Sequence, residues 1–427
     1  MTDHRSDRAS RLLRSIRKEI PQALREGQDH DDAEIAAMLR ELGIALIECE
    51  QPTQLVAARL LAIAQQYTRE TVRVVVLPTA LVVQVGTVAY EVETIVKPTT
   101  QLNLAGRIDA IAELAEVGAI TPADAAREAA AARTMAPRFG PVTTVIGYTI
   151  TTLGFGMVIN PTWASLWGYV FLGAVVGCIL LLGRPFPTLN AVLPTLAAGV
   201  VTVLATWFVA DAANDGLLRV ISPPLVAILP GLALTIGAME LASAQVISGA
   251  TRLIYGVAQL MLLVFGVGLG LHVGGRLAPQ QPSPQMGGWS LYVAVVVIAV
   301  GLYIYLSAPE GSLLWLILAV GVALVGQKVG GLFLSPTHSG AVGALLVVPF
   351  AMLGSRIKTS PPAIVMMLAA FWALVPGALS FESLGEAATG KHDITTLGTT
   401  VAAIFSIALG TLIGWSFFIT VNTRRPR

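Results

Sequence analysis

The pattern of apolar and polar positions changes character near residue 140. Beyond it, apolar blocks of about 17–25 residues follow one another, the length that crosses roughly 30 Å of hydrocarbon. They occupy residues 141–159, 163–182, 188–210, 223–243, 253–273, 289–307, 311–330, 339–355, 361–381 and 396–420, and predict ten transmembrane helices. The linkers Asn160–Thr162 and Ala308–Glu310 are short enough that a re-entrant hairpin stays open as the alternative to two full spans.

Before residue 140 the periodicity is that of a water-soluble α+β unit. In residues 31–49, Ile35, Met38, Leu42, Ala45 and Leu46 fall on one helical face behind an acidic start at Asp31, Asp32 and Glu34. Pro52 opens a second helix reaching about Tyr67. Thr71–Leu77, Leu81–Thr87 and Ala89–Val96 are β-branched runs punctuated by Pro78-Thr79 and by Gly86-Thr87, and read as strands. Helices at Leu102–Gly118 and Thr121–Arg133 follow, the latter with Pro122 at its first position. The chain thus divides into residues 1–136, a soluble domain, and two membrane halves, 137–275 and 276–427.

Composition supports the division. Of 427 residues, 55% are hydrophobic and 12% charged, with mean hydropathy +0.73, too little charge to keep a globular surface of this size wet. Of the 53 charged side chains, 35 lie in the first 140 residues, so the polar surface belongs to that part. A net charge of +1 gives no reason to expect a nucleic-acid partner. Cys49 and Cys178 fall in different parts, with no disulfide and no Cys/His metal spacing expected. The charged start has no signal-peptide core, which places the soluble part in the cytoplasm.

The positive-inside rule agrees. With ten spans and a cytoplasmic N-terminus, Arg184, Arg252, Arg356, Lys358, Arg424, Arg425 and Arg427 lie inside, against Arg219, Arg276 and Lys391 outside. Both termini are then cytoplasmic, in a multi-pass protein of the plasma or inner membrane.

One motif recurs. Leu229-Pro230-Gly231 is followed by Glu240 and Val375-Pro376-Gly377 by Glu386, in each case nine residues after the glycine; Ser222-Pro223-Pro224 and Ser360-Pro361-Pro362 precede them. The copies fall in the fourth and ninth predicted spans. Five spans is an odd number, so the halves have opposite orientations, the 5+5 inverted repeat of many secondary transporters. A mid-span Pro-Gly breaks the helix and frees backbone groups that a polar substrate can meet. A carboxylate in an apolar stretch is costly unless paired or protonated, which suits Glu240 and Glu386 to proton coupling, with Arg252 the plain ion-pair partner of Glu240. His338, in Ser335-Pro336-Thr337-His338, is a candidate proton relay or an ordinary loop histidine. Gly173/Gly177, Gly266/Gly270/Gly274 and Gly326/Gly330 have the spacing of close helix contacts. Asp109 and Glu113 read as a solvated helix face. The chain holds no P-loop, HExxH or GxSxG, so neither ATP-driven pumping nor intramembrane hydrolysis is expected.

These residues together resemble the threonine/serine exporter family. The match runs through Gly43, Gln51-Pro52-Thr53 with the helix to Arg59-Leu60, Pro78-Thr79, then Leu229-Pro230-Gly231 through Thr235 and Glu240, Ser248-Gly249 and Arg252, and Leu374-Val375-Pro376-Gly377. Three positions depart from the family pattern: Leu55 and Ala57 stand where an arginine and a glutamate are usual, and Glu240 where an aspartate is. The resemblance implies export of threonine and serine driven by the proton motive force. Pro230, Gly231, Thr235, Pro376, Gly377 and Ser380 are then the substrate-site candidates. No enzymatic activity, cofactor or metal is expected, and the partners are the amino acid, protons and the bilayer, with self-association left open. The competing reading is a membrane-embedded sensor whose N-terminal domain binds the ligand.

Overall fold

The computed structural model describes residues 17–18, 21–24, 30–93, 101–183, 185–186, 189, 192–209, 216–275, 283–374, 381–382 and 394–423. The first elements form an α+β layer: α1 (Asp32–Glu48), α2 (Thr53–Tyr67), β1 (Val72–Leu77), β2 (Ala80–Val85), β3 (Val88–Glu93), α3 (Leu102–Glu116) and α4 (Pro122–Arg133). Asp31 caps α1 by accepting from the Ala33 N–H, and Thr121 caps α4 through the Asp124 N–H. The strands make an antiparallel meander in the order β1-β2-β3, and Leu77 pairs with Ala80, so Pro78-Thr79 is the two-residue turn of a hairpin.

The layer's core joins Ile35, Leu39, Leu42 and Leu46 of α1 to Leu60 and Ile63 of α2 and to Leu81 and Val83 of β2. Gly43 permits that approach: a Cβ there would stand 2.5 Å from Leu81 Cδ2 and 2.9 Å from Leu60 Cδ1. Arg133 fastens α4 to α1 through bonds to Glu48 (2.8 Å) and Glu41 (3.1 Å).

Among the described residues the elements of the apolar part are α5 (Pro141–Ile159), α6 (Ser165–Gly183), α7 (Leu193–Phe208), α8 (Leu217–Leu225), α9 (Gly231–Ala242), α10 (Val246–Gly274), α11 (Ser290–Tyr305), α12 (Leu313–Gly330), α13 (Gly340–Gly354), α14 (Ala363–Leu374) and α15 (Ile394–Thr423). Helices α5, α6, α10, α12 and α15 are long and apolar enough to cross a membrane; α7, α9, α11, α13 and α14 are shorter apolar helices. This is a polytopic helical membrane protein. The Asn160–Thr162 linker joins two helices of 19 residues each, both long and apolar enough to cross a membrane.

The segment expected as one span at 223–243 is two helices. The chain leaves α8 after Leu225 and resumes at Gly231 with Pro230 as cap (φ −79°, ψ 36°). Helix α8 starts earlier than the hydropathy suggested and carries Pro223 and Pro224 inside its last turn. The break frees the Pro224 carbonyl, and the buried Tyr148 hydroxyl donates to it at 2.6 Å, which keeps that acceptor satisfied away from water.

The recurrent glycines are contact points. A Cβ at Gly173 would stand 2.8 Å from Thr152 Cβ, at Gly270 2.6 Å from Thr202 Cβ, and at Gly330 2.7 Å from the Ser339 carbonyl.

The α+β layer sits against one end of the bundle. Leu102 and Asn103 donate backbone N–H groups to Leu306 (2.8 Å) and Ser307 (3.1 Å) in the α11–α12 turn, and Lys18 to Arg356 (2.8 Å) in the α13–α14 connection. Arg138 donates to the Ala308 carbonyl at 2.8 Å. The α5–α6 turn lies at the far end, where the Met286 N–H bonds Pro161 at 2.7 Å and Trp163 meets Trp289 with ring centroids 5.7 Å apart.

Candidate functional site

The layer and the broken helix meet at one carboxylate. Helix α2 begins behind Pro52, whose side chain cannot cap it, so the Thr53 N–H is one of the orphan donors of a helix start. It donates at 2.9 Å to Oε1 of Glu240, which is fully buried in the last turn of α9. Glu240 thus supplies the missing cap, and its charge faces the positive end of the α2 dipole. On the other oxygen, Arg252 of α10 brings Nε to 3.2 Å of Oε2, an ion pair without hydrogen-bond alignment. The same guanidinium donates at 3.2 Å to Glu50 Oε2. One arginine therefore serves two carboxylates, one from each side of the junction. Gln54 Nε2 adds a long 3.5 Å bond to Ser243 Oγ.

Glu50 is set up unusually. Its φ of 58° lies in the left-handed region that a glutamate rarely adopts. Burial raises its carboxyl above the ordinary value; Arg252 offsets part of that rise, and the Glu240 charge adds to it.

Beside this junction lies a cavity of about 370 Å³ between the layer and the membrane helices. Its layer side carries Glu50, Arg59 of α2, and Asp109, Glu113 and Glu116 of α3. The three acidic residues are four and three apart, which puts them on one face. Arg59 pairs with Asp109 at 2.5 Å and also with Glu116. Burial alone would lower the Arg59 pKa; those two carboxylates more than offset it and hold the group above its usual value. Glu113 is exposed to the cavity and makes no ion pair among the described residues; burial first and the Asp109 charge second raise its carboxyl. The membrane side is apolar, with Leu232, Ile236 and Met239 from α9 and Met367, Leu368 and Phe371 from α14.

Some sequence candidates come together here and others do not. Pro52, Thr53 and Glu240 converge, and Thr235 lines the cavity, although its hydroxyl donates back to the Gly231 carbonyl at 2.9 Å. Pro230 and Gly231 are buried at the break and do not line the cavity. His338 stands at the start of α13, the end away from the layer, where its Nδ1 is 2.7 Å from Ser406 Oγ; a 15-residue helix of about 22 Å separates it from the cavity end. Gly43 and Pro78-Thr79 serve packing and the hairpin turn. Pro376, Gly377, Ser380 and Glu386 lie outside the described residues.

One expectation, the solvated α3 face, is overturned for Asp109 and holds for Glu113: Asp109 is 7% exposed and ion-paired, whereas Glu113 is exposed, and both line the cavity. Arg59 was not singled out by sequence reasoning. Its signal was available, since it is the lone charge in the 15 residues of α2.

Against known proteins, the model of the ThrE family, described as putative threonine/serine exporter, matches residues 37–274. That stretch contains Glu50, Arg59, the α3 carboxylates, the broken helix, Glu240 and Arg252. No curated protein and no solved structure matches the chain.

Proposed function

We propose a transport function from one premise: the chain belongs to the threonine/serine exporter family. On that basis it is a secondary transporter that exports threonine and serine across the plasma or inner membrane, driven by the proton motive force. The observation that carries the reading is the cavity walled by the N-terminal layer on one side and by short helices from both parts of the bundle on the other.

The reading includes ten spans arranged as a 5+5 inverted repeat. The neighbour pattern supports it. Counting α8 with α9 as the fourth element of the first half, α14 is the fourth of the second. The first elements, α5 and α11, pack on each other; the third packs on the fifth in both halves, α7 on α10 and α13 on α15; the second packs on the fourth in both, α6 on α8 and α12 on α14. At 12 residues each, α9 and α14 rise about 18 Å, near half a bilayer, and both line the same cavity. In this arrangement the layer and both termini are cytoplasmic, and the cavity is the inward-facing substrate site.

Coupling is assigned to the Glu50–Arg252–Glu240 triad. A proton on either carboxylate removes one of the two counter-ions of Arg252, and on Glu240 it also weakens the acceptor of the Thr53 N–H. Loading the triad therefore loosens the layer from α9, and unloading reseats it. Counter-movement of proton and amino acid follows if the loosened state is the one that passes substrate outward.

The test is efflux of labelled threonine from cells producing the protein, with and without a protonophore, against an empty-vector control. Protonophore-sensitive efflux above control is expected. A protein present in the membrane that moves neither threonine nor serine withdraws the substrate assignment.

A further inference from the structure

The cavity has two chemically different ends, and they constrain the substrate more tightly than the family does. At the layer end four carboxylates, Glu50, Asp109, Glu113 and Glu116, face one lining cation, Arg59. That cation is already committed: Asp109 takes one N–H at its carboxylate and a second at its backbone carbonyl (3.4 Å), and Glu116 takes Nε. Glu50 is held by Arg252. Glu113 is left over. It is exposed to the cavity, lies outside every ion pair among the described residues, and feels Lys18 and Arg59 only through space. A carboxylate in this position selects a cation with hydrogen-bond donors, not an anion.

The opposite wall is mainly apolar. The Thr235 hydroxyl donates to the Gly231 carbonyl and that of Ser355 to the Met352 carbonyl at 3.1 Å, so each keeps only its acceptor side for a ligand, and among the described residues the indole N–H of the lining Trp415 has no partner. The rest of the wall is thioether, aliphatic and aromatic surface from Met239, Ile236, Met367, Leu368 and Phe371. Methionine is the side chain most able to reshape itself around different apolar groups. A volume of about 370 Å³ lies within the range of ordinary small-molecule sites and exceeds what a threonine fills.

We propose that Glu113 receives the α-ammonium group of the substrate and that the Met239–Met367–Phe371 wall receives its side chain, so that the site takes amino acids with apolar side chains larger than that of threonine, methionine and leucine among them. This rests on the transport reading above and extends its substrate class.

The test is counterflow in proteoliposomes of the full chain. Vesicles preloaded with unlabelled methionine, leucine, threonine, or the 2-hydroxy acid of the same skeleton as methionine are diluted into labelled threonine, and separately into labelled methionine. Methionine and leucine are expected to drive counterflow at least as well as threonine, and the 2-hydroxy acid to drive none. Glu113→Gln is expected to weaken half-saturation by about tenfold or more for every amine substrate, the scale of a lost hydrogen bond to a charged group. Met367→Trp, which fills the apolar end, is expected to abolish methionine counterflow before threonine counterflow. If threonine exchanges and methionine and leucine do not, the enlarged substrate class is overturned while the exporter reading stands. If methionine exchanges and threonine does not, the inference stands and the family substrate is withdrawn. Exchange of the 2-hydroxy acid, or unchanged half-saturation in Glu113→Gln, overturns the ammonium assignment.

Discussion

The backbone N–H of Thr53 donates to the side chain of Glu240 at 2.9 Å, joining residues 187 positions apart. The first opens a helix of the α+β layer and the second closes the half-helix after the Pro230-Gly231 break. The contact therefore reports whether the layer is seated on the bundle.

The charge of Glu240 is the first thing to remove. Glu240→Gln keeps an oxygen for the Thr53 N–H but leaves Arg252 with Glu50 alone. We expect normal membrane insertion, threonine efflux lowered by about tenfold or more, and loss of its dependence on the proton gradient. Glu240→Ala also strips the acceptor and leaves a buried guanidinium under-compensated. Its thermal unfolding in detergent should fall by the equivalent of about 3 kcal/mol, the scale for breaking a buried pair. Full activity with unchanged pH dependence in the glutamine variant would remove Glu240 from coupling.

Glu50 gives the pH dependence a sign. Burial raises its carboxyl above the ordinary value. A raised carboxyl contributes stability to the protonated, folded form below the unfolded value, and that contribution is lost as pH rises through the folded value. Acidification therefore protonates Glu50 before an ordinary glutamate and frees one side of Arg252. The pH profile of threonine efflux should carry a limb above the usual carboxylate range, and Glu50→Gln should abolish it. An identical profile in Glu50→Gln would exclude this residue as the titrating group.

Much of this architecture was written in the hydropathy. Every apolar block proved to hold helix, and the block containing Pro230-Gly231 proved broken there, because proline and glycine act on the backbone locally and leave a local mark. The Asp109 half of the α3 acidic face was misread for a physical reason. An i, i+4 carboxylate pair on an amphipathic helix has the same spacing whether it faces bulk water or a cavity, and the difference resides in Arg59, 50 positions upstream of Asp109 on another helix. Glu240 stood out as a charge in an apolar run with Arg252 legible as its ion-pair partner, yet its hydrogen-bond donor was not, since a backbone N–H has no side-chain signature.

Arg59 should prove a structural clasp as well as a charge in the cavity wall. It joins α2 to α3 through Asp109 and Glu116. Arg59→Lys cannot satisfy both carboxylates in the same fork and should cost about 1–2 kcal/mol, while Arg59→Ala should cost more by leaving buried Asp109 unpaired. Thermal unfolding of the full chain in detergent reads both; equal melting of the two variants would contradict the fork.

The sharpest separation of contact from composition is at Thr53 itself. Among the described residues its hydroxyl has no hydrogen-bond partner, whereas its N–H carries the bond to Glu240. Thr53→Ala removes the first and keeps the second, so efflux should stay within about twofold of wild type. Thr53→Pro keeps the chain path and removes the N–H. Proline is favoured at the first position of a helix, and Pro52, with ψ of 137°, already has the extended backbone that a residue before proline requires. The helix should therefore form, leaving Glu240 with Arg252 alone. We expect normal insertion, a layer more readily cleaved from the bundle by limited proteolysis, and efflux reduced by about tenfold, near the loss of one charge-assisted hydrogen bond. Equal efflux from the alanine and proline variants would mean that the Thr53–Glu240 bond is only a packing contact and that the layer is held by its other bonds, at Leu306, Ser307 and Ala308.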